Sequence, residues 1–418
     1  MQNTQNILAD ANYIITNIIA DNMPTQAVIN ALQGYTFNGR IHLIAIGKAA
    51  WTMAKAASDY LGERLVRGIV VTKYEHSQGV LPRIDVYEAG HPVSDENTIA
   101  ATQKCIELAA SLTADDELLF LVSGGGSALF EKPLDGASLK DIQYLTSQLL
   151  ASGADIIEMN MVRKRLSAVK GGRFAMLAAP SHVFSIILSD VLGDRLDSIA
   201  SGPVVPDKST VQDALRVLEK YNLNLTDLQR ENLLVETPKE ITNVETVVIG
   251  SVRTLCEAAR KHAELLGYNP IVLTTTMACE AREAGRMLSS IAADVCNGTG
   301  NIARPCAIIA GGETVVTLKG QGKGGRNQEL ALSAAHGIDG LDGVVIFSLG
   351  SDGTDGPTDA AGGIVDGSSL AMLKGKGLNI DKILADNDAY HGLEAIDGLI
   401  VTGPTGTNVN DVSVVLCR

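Results

Sequence analysis

Aromatic residues are scarce in this chain, with one Trp, six Phe and nine Tyr among 418 residues. Large rings cannot fill its cores, so Val, Ile, Leu and Ala must, and a hydrophobic fraction of 45% is enough for that. No run approaches the ~18 consecutive apolar residues of a membrane span. The segment up to Asp21 holds Asp10 and Asp21 and no Lys or Arg, so the basic start of a signal peptide is missing. The six cysteines (Cys105, Cys256, Cys279, Cys296, Cys306, Cys417) are scattered without a C-x-x-C pair. That speaks against a zinc knuckle and, at this length, against a disulfide framework; mostly buried thiols are expected. Positive charge is also in deficit: 34 Lys and Arg face 48 Asp and Glu, for a net charge of -14. This balance argues against a nucleic-acid partner, although a few cations in one cleft can still hold a small anion. A soluble cytoplasmic protein is the expectation, with no membrane contact.

Familiar signatures are absent as well. There is no G-x-x-x-x-G-K-[ST], no G-x-S-x-G and no H-E-x-x-H. What is plentiful is glycine, 42 residues, gathered in short loops after apolar runs. Residues 8–33 have helical periodicity. Compact apolar runs then alternate with helical stretches: 41–46, 68–72, 117–122 and 183–188 read as strands of a parallel sheet. Residues 221–245 are polar and contain Pro238, which places a domain boundary near 240. A second series of strands is expected at 246–250, 270–274, 306–310, 314–318, 344–349, 398–402 and 412–416. The fold class is therefore α/β, with two domains at 1–240 and 241–418. Ligands of such sheets sit at the C-terminal ends of strands.

The loops past those strand ends carry the chemistry. Ser123-Gly124-Gly125-Gly126-Ser127 follows a buried run, where glycines let backbone N–H groups face an anion and a helix start adds positive charge. Gly47-Lys48 places a lysine at another strand end, within reach of a phosphate or carboxylate. Asp190 ends the run 183–188 and can hold magnesium or accept a hydroxyl proton. Asp352, Asp355 and Asp359 lie within eight residues, a spacing that repels unless solvated or shared with a cation, so Asp352 and Asp355 are candidate magnesium or nucleotide contacts. His91-Pro92 is turn-like, and a lone histidine there reads as structural. Gly320-Gln321-Gly322-Lys323-Gly324-Gly325 matches G-x-G-x-x-G, which keeps an NAD(P)H-dependent reductase open. Against it, the next expected strand brings its acid only at Asp352, 27 residues after Gly325, and Lys323 and Arg326 suit a polyphosphate or a carboxylate.

Taken together, these segments resemble a known family. Ile46-Gly47-Lys48-Ala49-Ala50, Gly90-His91-Pro92, Ser123–Leu129, Asn160-Met161-Val162-Arg163-Lys164-Arg165-Leu166-Ser167, Lys170-Gly171-Gly172-Arg173, Ser189-Asp190-Val191 and Ser201-Gly202-Pro203 resemble the N-terminal domain of class II glycerate kinases. Gly311-Gly312-Glu313-Thr314, Gly324–Glu329, Gly353-Thr354-Asp355-Gly356 and Gly403–Asn408 resemble their C-terminal MOFRL domain. The resemblance implies a Rossmann-like N-terminal domain with a mostly parallel sheet, a second α/β domain, and an active cleft between them. It also implies ATP- and Mg²⁺-dependent phosphorylation of D-glycerate at its 2-hydroxyl. Carried over by motif, Lys48 and Arg326 resemble the main catalytic or substrate-binding cations; Asp190 is expected to be catalytic or metal-binding, and Ser123–Ser127, Glu313, Asn327 and Asn408 are expected substrate or phosphate contacts. Members of the family have also been labelled hydroxypyruvate reductases. The oligomeric state stays open, with a homodimer one option.

Overall fold

A computed structural model describes the chain from Gln2 to Arg418. It forms two compact units, one spanning Pro24–Ile249 and the other joining the segment through Met23 to Gly250–Arg418.

The first unit holds strands β1 (Arg40–Ile46), β2 (Leu65–Lys73), β3 (Ile84–Ala89), β4 (Asp116–Val122), β5 (His182–Leu188) and β6 (Val244–Gly250) in the order β3-β2-β1-β4-β5-β6. The ladders β2–β3, β1–β2, β1–β4 and β4–β5 are parallel. This is a doubly wound sheet, and its order reverses between β1 and β4, the switch point where such sheets take ligands. β4 is buried along its whole length, as its apolar run demands. The scarce aromatics are pooled: Phe120, Phe130 and Phe174 pack with ring centroids 5.0 to 5.9 Å apart. Phe130 directly follows the glycine turn and pins it to the core. A separate helical layer, Leu139–Ala151, Ile156–Leu166 and Val211–Lys220, packs around Leu149, Val162, Ala214 and Leu233.

The second unit holds β7 (Asn269–Met277), β8 (Cys306–Gly312), β9 (Val344–Gly350), β10 (Gly362–Asp366), β11 (Leu399–Ile400) and β12 (Asp411–Cys417), ordered β11-β10-β9-β12-β8-β7. Only β7–β8 is parallel; the other ladders are antiparallel, so this sheet is mixed.

The boundaries depart from a single division near 240. β6, expected to open the second domain, completes the first sheet. The first helix, Gln2–Asp21, belongs with the C-terminal unit: Asp10 accepts from the Tyr268 hydroxyl at 2.7 Å and Arg418 at 2.6 Å, and Asp21 pairs with Lys261 and His262. Residues 314–318 form no strand, only an isolated bridge between Glu280 and Val315, because Val315 and Leu318 lie exposed. β3 and β10 were not expected. β3 is a part-exposed edge strand, and β10 opens on two glycines. Glycine is required at 362, where a Cβ would lie 1.9 Å from the Ser348 carbonyl oxygen. Four cysteines are buried as expected, but Cys296 is half-buried and Cys279 exposed.

Candidate functional site

Each unit carries a polar cluster at its strand ends. In the first unit it sits at the switch point. Lys48 follows β1, and its backbone N–H donates to the Gly124 carbonyl at 2.8 Å. The Ser123 hydroxyl donates to the Ile46 carbonyl at 3.2 Å and accepts from the Ala49 N–H at 3.0 Å. Two loops from neighbouring parallel strands are clasped so closely that side chains are excluded. A Cβ at Gly47, whose φ is +113°, would stand 2.3 Å from the Ser123 oxygen. The Ser123 hydroxyl, expected as a phosphate contact, thus clasps the two loops and has its one donor directed at Ile46.

Three side chains converge on the next two residues. A Cβ at Gly124 would meet the Asp190 carboxylate oxygen at 2.2 Å. A Cβ at Gly125, where φ is +84°, would meet the His91 ring at 2.9 Å and Lys48 Cγ at 3.3 Å. Lys48, His91 and Asp190 therefore surround the bare backbone of Gly124 and Gly125, and neither of these N–H groups has a partner among the described residues. Burial raises the Asp190 carboxyl above the usual carboxylate range, and the Lys48 charge opposes this only in part. Burial, and then the charges of Lys48, Lys73 and His76, lower His91 to about 4, so its imidazole is neutral at pH 7. The sequence signal for His91 was a lone histidine before proline, too weak to place it here.

The rest of the glycine run is held from beneath. Gly126 opens a helix of four residues, Gly126–Leu129, too short for an appreciable dipole, so the expected helix-start charge is small. The buried Lys170 ammonium donates to the carbonyls of Ser127 at 2.9 Å and Phe130 at 3.0 Å and lies 3.5 Å from Glu131. Burial lowers Lys170 to about 8, against the opposing charge of Glu131. Its neighbours Gly171 and Gly172 donate to the carbonyls of Ser201 and Gly202. The Lys170-Gly171-Gly172 and Ser201-Gly202-Pro203 motifs are thus one hydrogen-bonded support.

In the second unit, Arg326 opens the helix Arg326–Ala334. Its guanidinium is already bidentate on Asp411, and it lies 3.2 Å from Glu313. Burial works against its charge, but the Asp411 pairing more than offsets this and raises its pKa. The expected free clamp is therefore a cation with two carboxylate partners. Glu313 also accepts from Asn410 at 3.3 Å. Asn327 is buried, with its amide between Asp355 and the Ser348 hydroxyl. Asn408 is half-buried, and its side chain has no hydrogen-bond partner among the described residues.

The expected metal set does not assemble. Asp355 accepts from the N–H groups of Asn327 at 3.2 Å and Gln328 at 2.9 Å, capping the helix Arg326–Ala334 with both oxygens. Burial lifts its carboxyl to about 6. Asp352 accepts from the N–H and hydroxyl of Thr354 in a local turn. Among the described residues no group of three or more His, Cys, Asp or Glu is arranged to hold a metal. The G-x-G-x-x-G loop is held by a distant segment of the chain. The N–H groups from Lys319 to Lys323 donate to Asn387, Asp386 and Asp388, which leaves them none for a pyrophosphate.

Two outcomes check these assignments. Gly124→Ala should keep the fold by circular dichroism yet lose turnover ~100-fold, because its methyl displaces Asp190. Asp355 has a folded-state pKa near 6 against 3.8 unfolded, so the native state binds more protons in that window and loses stability as pH rises through it. Asp355→Asn should remove its contribution to that slope in urea unfolding and cost ~1 kcal/mol through the lost acceptor.

The relatives of this chain agree with the resemblance. A family described as Domain of unknown function (DUF4147) matches residues 10–233, and the MOFRL family matches 306–411. A Thermotoga maritima protein named D-glycerate 2-kinase is 53% identical over 401 residues, 96% of each chain. A crystal structure titled glycerate kinase, from the same organism, superposes with a TM-score of 0.97 at 51% identity, covering 99% of this chain and 100% of that one. An Agrobacterium vitis protein named putative hydroxypyruvate reductase is 38% identical over 90% of this chain and 99% of its own. The chain therefore belongs to the glycerate kinase family in which a DUF4147 domain is followed by a MOFRL domain.

Proposed function

We propose that this protein transfers the γ-phosphoryl group of ATP to the 2-hydroxyl of D-glycerate, giving 2-phosphoglycerate and ADP. The observation that carries it is the convergence of Lys48, Asp190 and His91 on the bare Gly124-Gly125 backbone at the switch point. Phosphoryl transfer depends on alignment and charge stabilisation more than on covalent chemistry by the protein. The free N–H groups of Gly124 and Gly125 and the Lys48 ammonium supply fixed positive charge for phosphoryl oxygens. Asp190 stands against the same backbone, where it can take the proton leaving the 2-hydroxyl. Neutral His91 adds a hydrogen-bonding group without adding charge.

Mg²⁺ bound to nucleotide phosphates needs only one or two protein carboxylates. Asp190 fits that need, since no other side chain hydrogen-bonds to it among the described residues, whereas Asp355 does not. The ion would supply neutralisation of phosphate charge. The reductase reading loses support, because Asp386, Asn387 and Asp388 hold the N–H groups of Gly320 to Lys323 in the loop that suggested it. No helix among the described residues is long and apolar enough to cross a membrane. Use of ATP is the ground on which we infer a cytoplasmic location.

Incubation with D-glycerate, ATP and Mg²⁺, coupled to enolase without a mutase, should yield phosphoenolpyruvate, since enolase accepts only the 2-phosphate. Lys48→Met should reduce that rate at least ~100-fold, the scale for losing one preorganised charge. ADP without phosphoenolpyruvate would move the phosphate to another hydroxyl, and no ADP at all would sink the kinase reading.

A further inference from the structure

The helix Ile156–Leu166 carries three consecutive basic residues near its end, and two of them have partners. Lys164 pairs with Asp207 at 3.3 Å and Asp197 at 3.7 Å. Arg165 is fully buried between Asp207, Ser209 and Glu236. Arg163 makes no ion pair or hydrogen bond with any described residue, and its Nε is buried without an acceptor. Structural duty therefore explains Lys164 and Arg165 and leaves Arg163 over.

Asn160 sits one turn earlier on the same helix face. It is only 3% exposed, its Oδ1 accepts from the Ser201 hydroxyl at 3.0 Å, and its Nδ2 has no acceptor. The chain of contacts continues from Ser201 to the Ser127 hydroxyl at 3.2 Å, the last residue of the glycine turn. Ser201 and its neighbour Ala200 adopt left-handed backbone, with φ of 61° and 50°, a conformation costly for both unless the surroundings enforce it. Arg163 is also close enough for its charge to disfavour protonation of Lys170, whose ammonium holds the Ser127 carbonyl. Two unsatisfied donors, one of them cationic, thus lie beside the Ser127 end of the turn that Lys48 and Asp190 face at its Gly124 end.

We propose that Asn160 and Arg163 form an oxyanion subsite that takes the carboxylate of the hydroxy-acid substrate. This rests on the kinase reading above. A nucleotide phosphate offers the same chemistry, but the Gly124 and Gly125 N–H groups and Lys48 already provide for phosphate. A guanidinium N–H with a neighbouring amide N–H matches the two oxygens of a carboxylate.

The test is calorimetric titration of the full chain with D-glycerate in the presence of ADP and Mg²⁺, and separately with ATP and Mg²⁺. Arg163→Gln and Asn160→Asp should each weaken D-glycerate binding about 30-fold, the scale of one charge-assisted hydrogen bond, with ATP affinity within about threefold of wild type. Arg163→Lys should fall between, because it keeps the charge but not the planar fork. Unchanged D-glycerate affinity in Arg163→Gln overturns the subsite, as does a loss confined to ATP. Should Asn160→Asp fail to fold, the half-exposed Arg163 variants decide alone. Wild-type protein that binds ATP but no D-glycerate overturns the hydroxy-acid reading, and this subsite with it; binding by wild type and variants alike removes only the subsite.

Discussion

The clasp between the ends of β1 and β4 is the constraint on which the site of the first unit depends. Parallel neighbours in a doubly wound sheet diverge at the switch point, and here the Ser123 hydroxyl and the Lys48 N–H draw the diverging loops together. That closeness leaves no room for a side chain at Gly47, while Asp190 crowds Gly124 and His91 and Lys48 crowd Gly125. On the kinase reading the bare Gly124-Gly125 backbone faces the phosphoryl oxygens, and Lys48, His91 and Asp190 converge on it from three different strand ends.

Most of the basic motif residues in the same unit are scaffold. Asp207 gathers Lys164, Arg165, Ser209 and Thr237 around one buried carboxylate. Arg173 caps the carbonyls of Lys164 and Ser167 at the end of the helix Ile156–Leu166. Charges this deeply buried are tolerable only because each is paired and hydrogen-bonded. Arg163 is the exception among the three basic residues of that helix, since it alone makes no ion pair or hydrogen bond with a described residue.

Most of the sheet of the first unit was legible because its largely buried strands read as short apolar runs. β3 was not, since an edge strand such as Ile84–Ala89 mixes charge with apolar residues. Lys48, Asp190 and the Gly124-Gly125 pair were legible for a local reason: each directly follows a strand end. Asp355 was read as a metal ligand from carboxylate spacing, which is local, whereas the N–H groups it accepts from lie up to 28 residues earlier in the chain. The Gly320–Gly325 pattern misled for the same reason, its partners coming from residues 386–388. Arg326 was rightly seen as a cation, but its bidentate partner Asp411, 85 residues on, has no local signal.

The most direct test of the switch-point site is covalent labelling of the intact protein with an acyl-phosphate derivative of ATP, which acylates a lysine lying beside the bound phosphates. Peptide mass spectrometry should find Lys48 modified, and excess ATP should suppress that modification. Labelling confined to lysines away from the Gly124-Gly125 turn, such as Lys323, with Lys48 untouched, would contradict a phosphate site between β1 and β4.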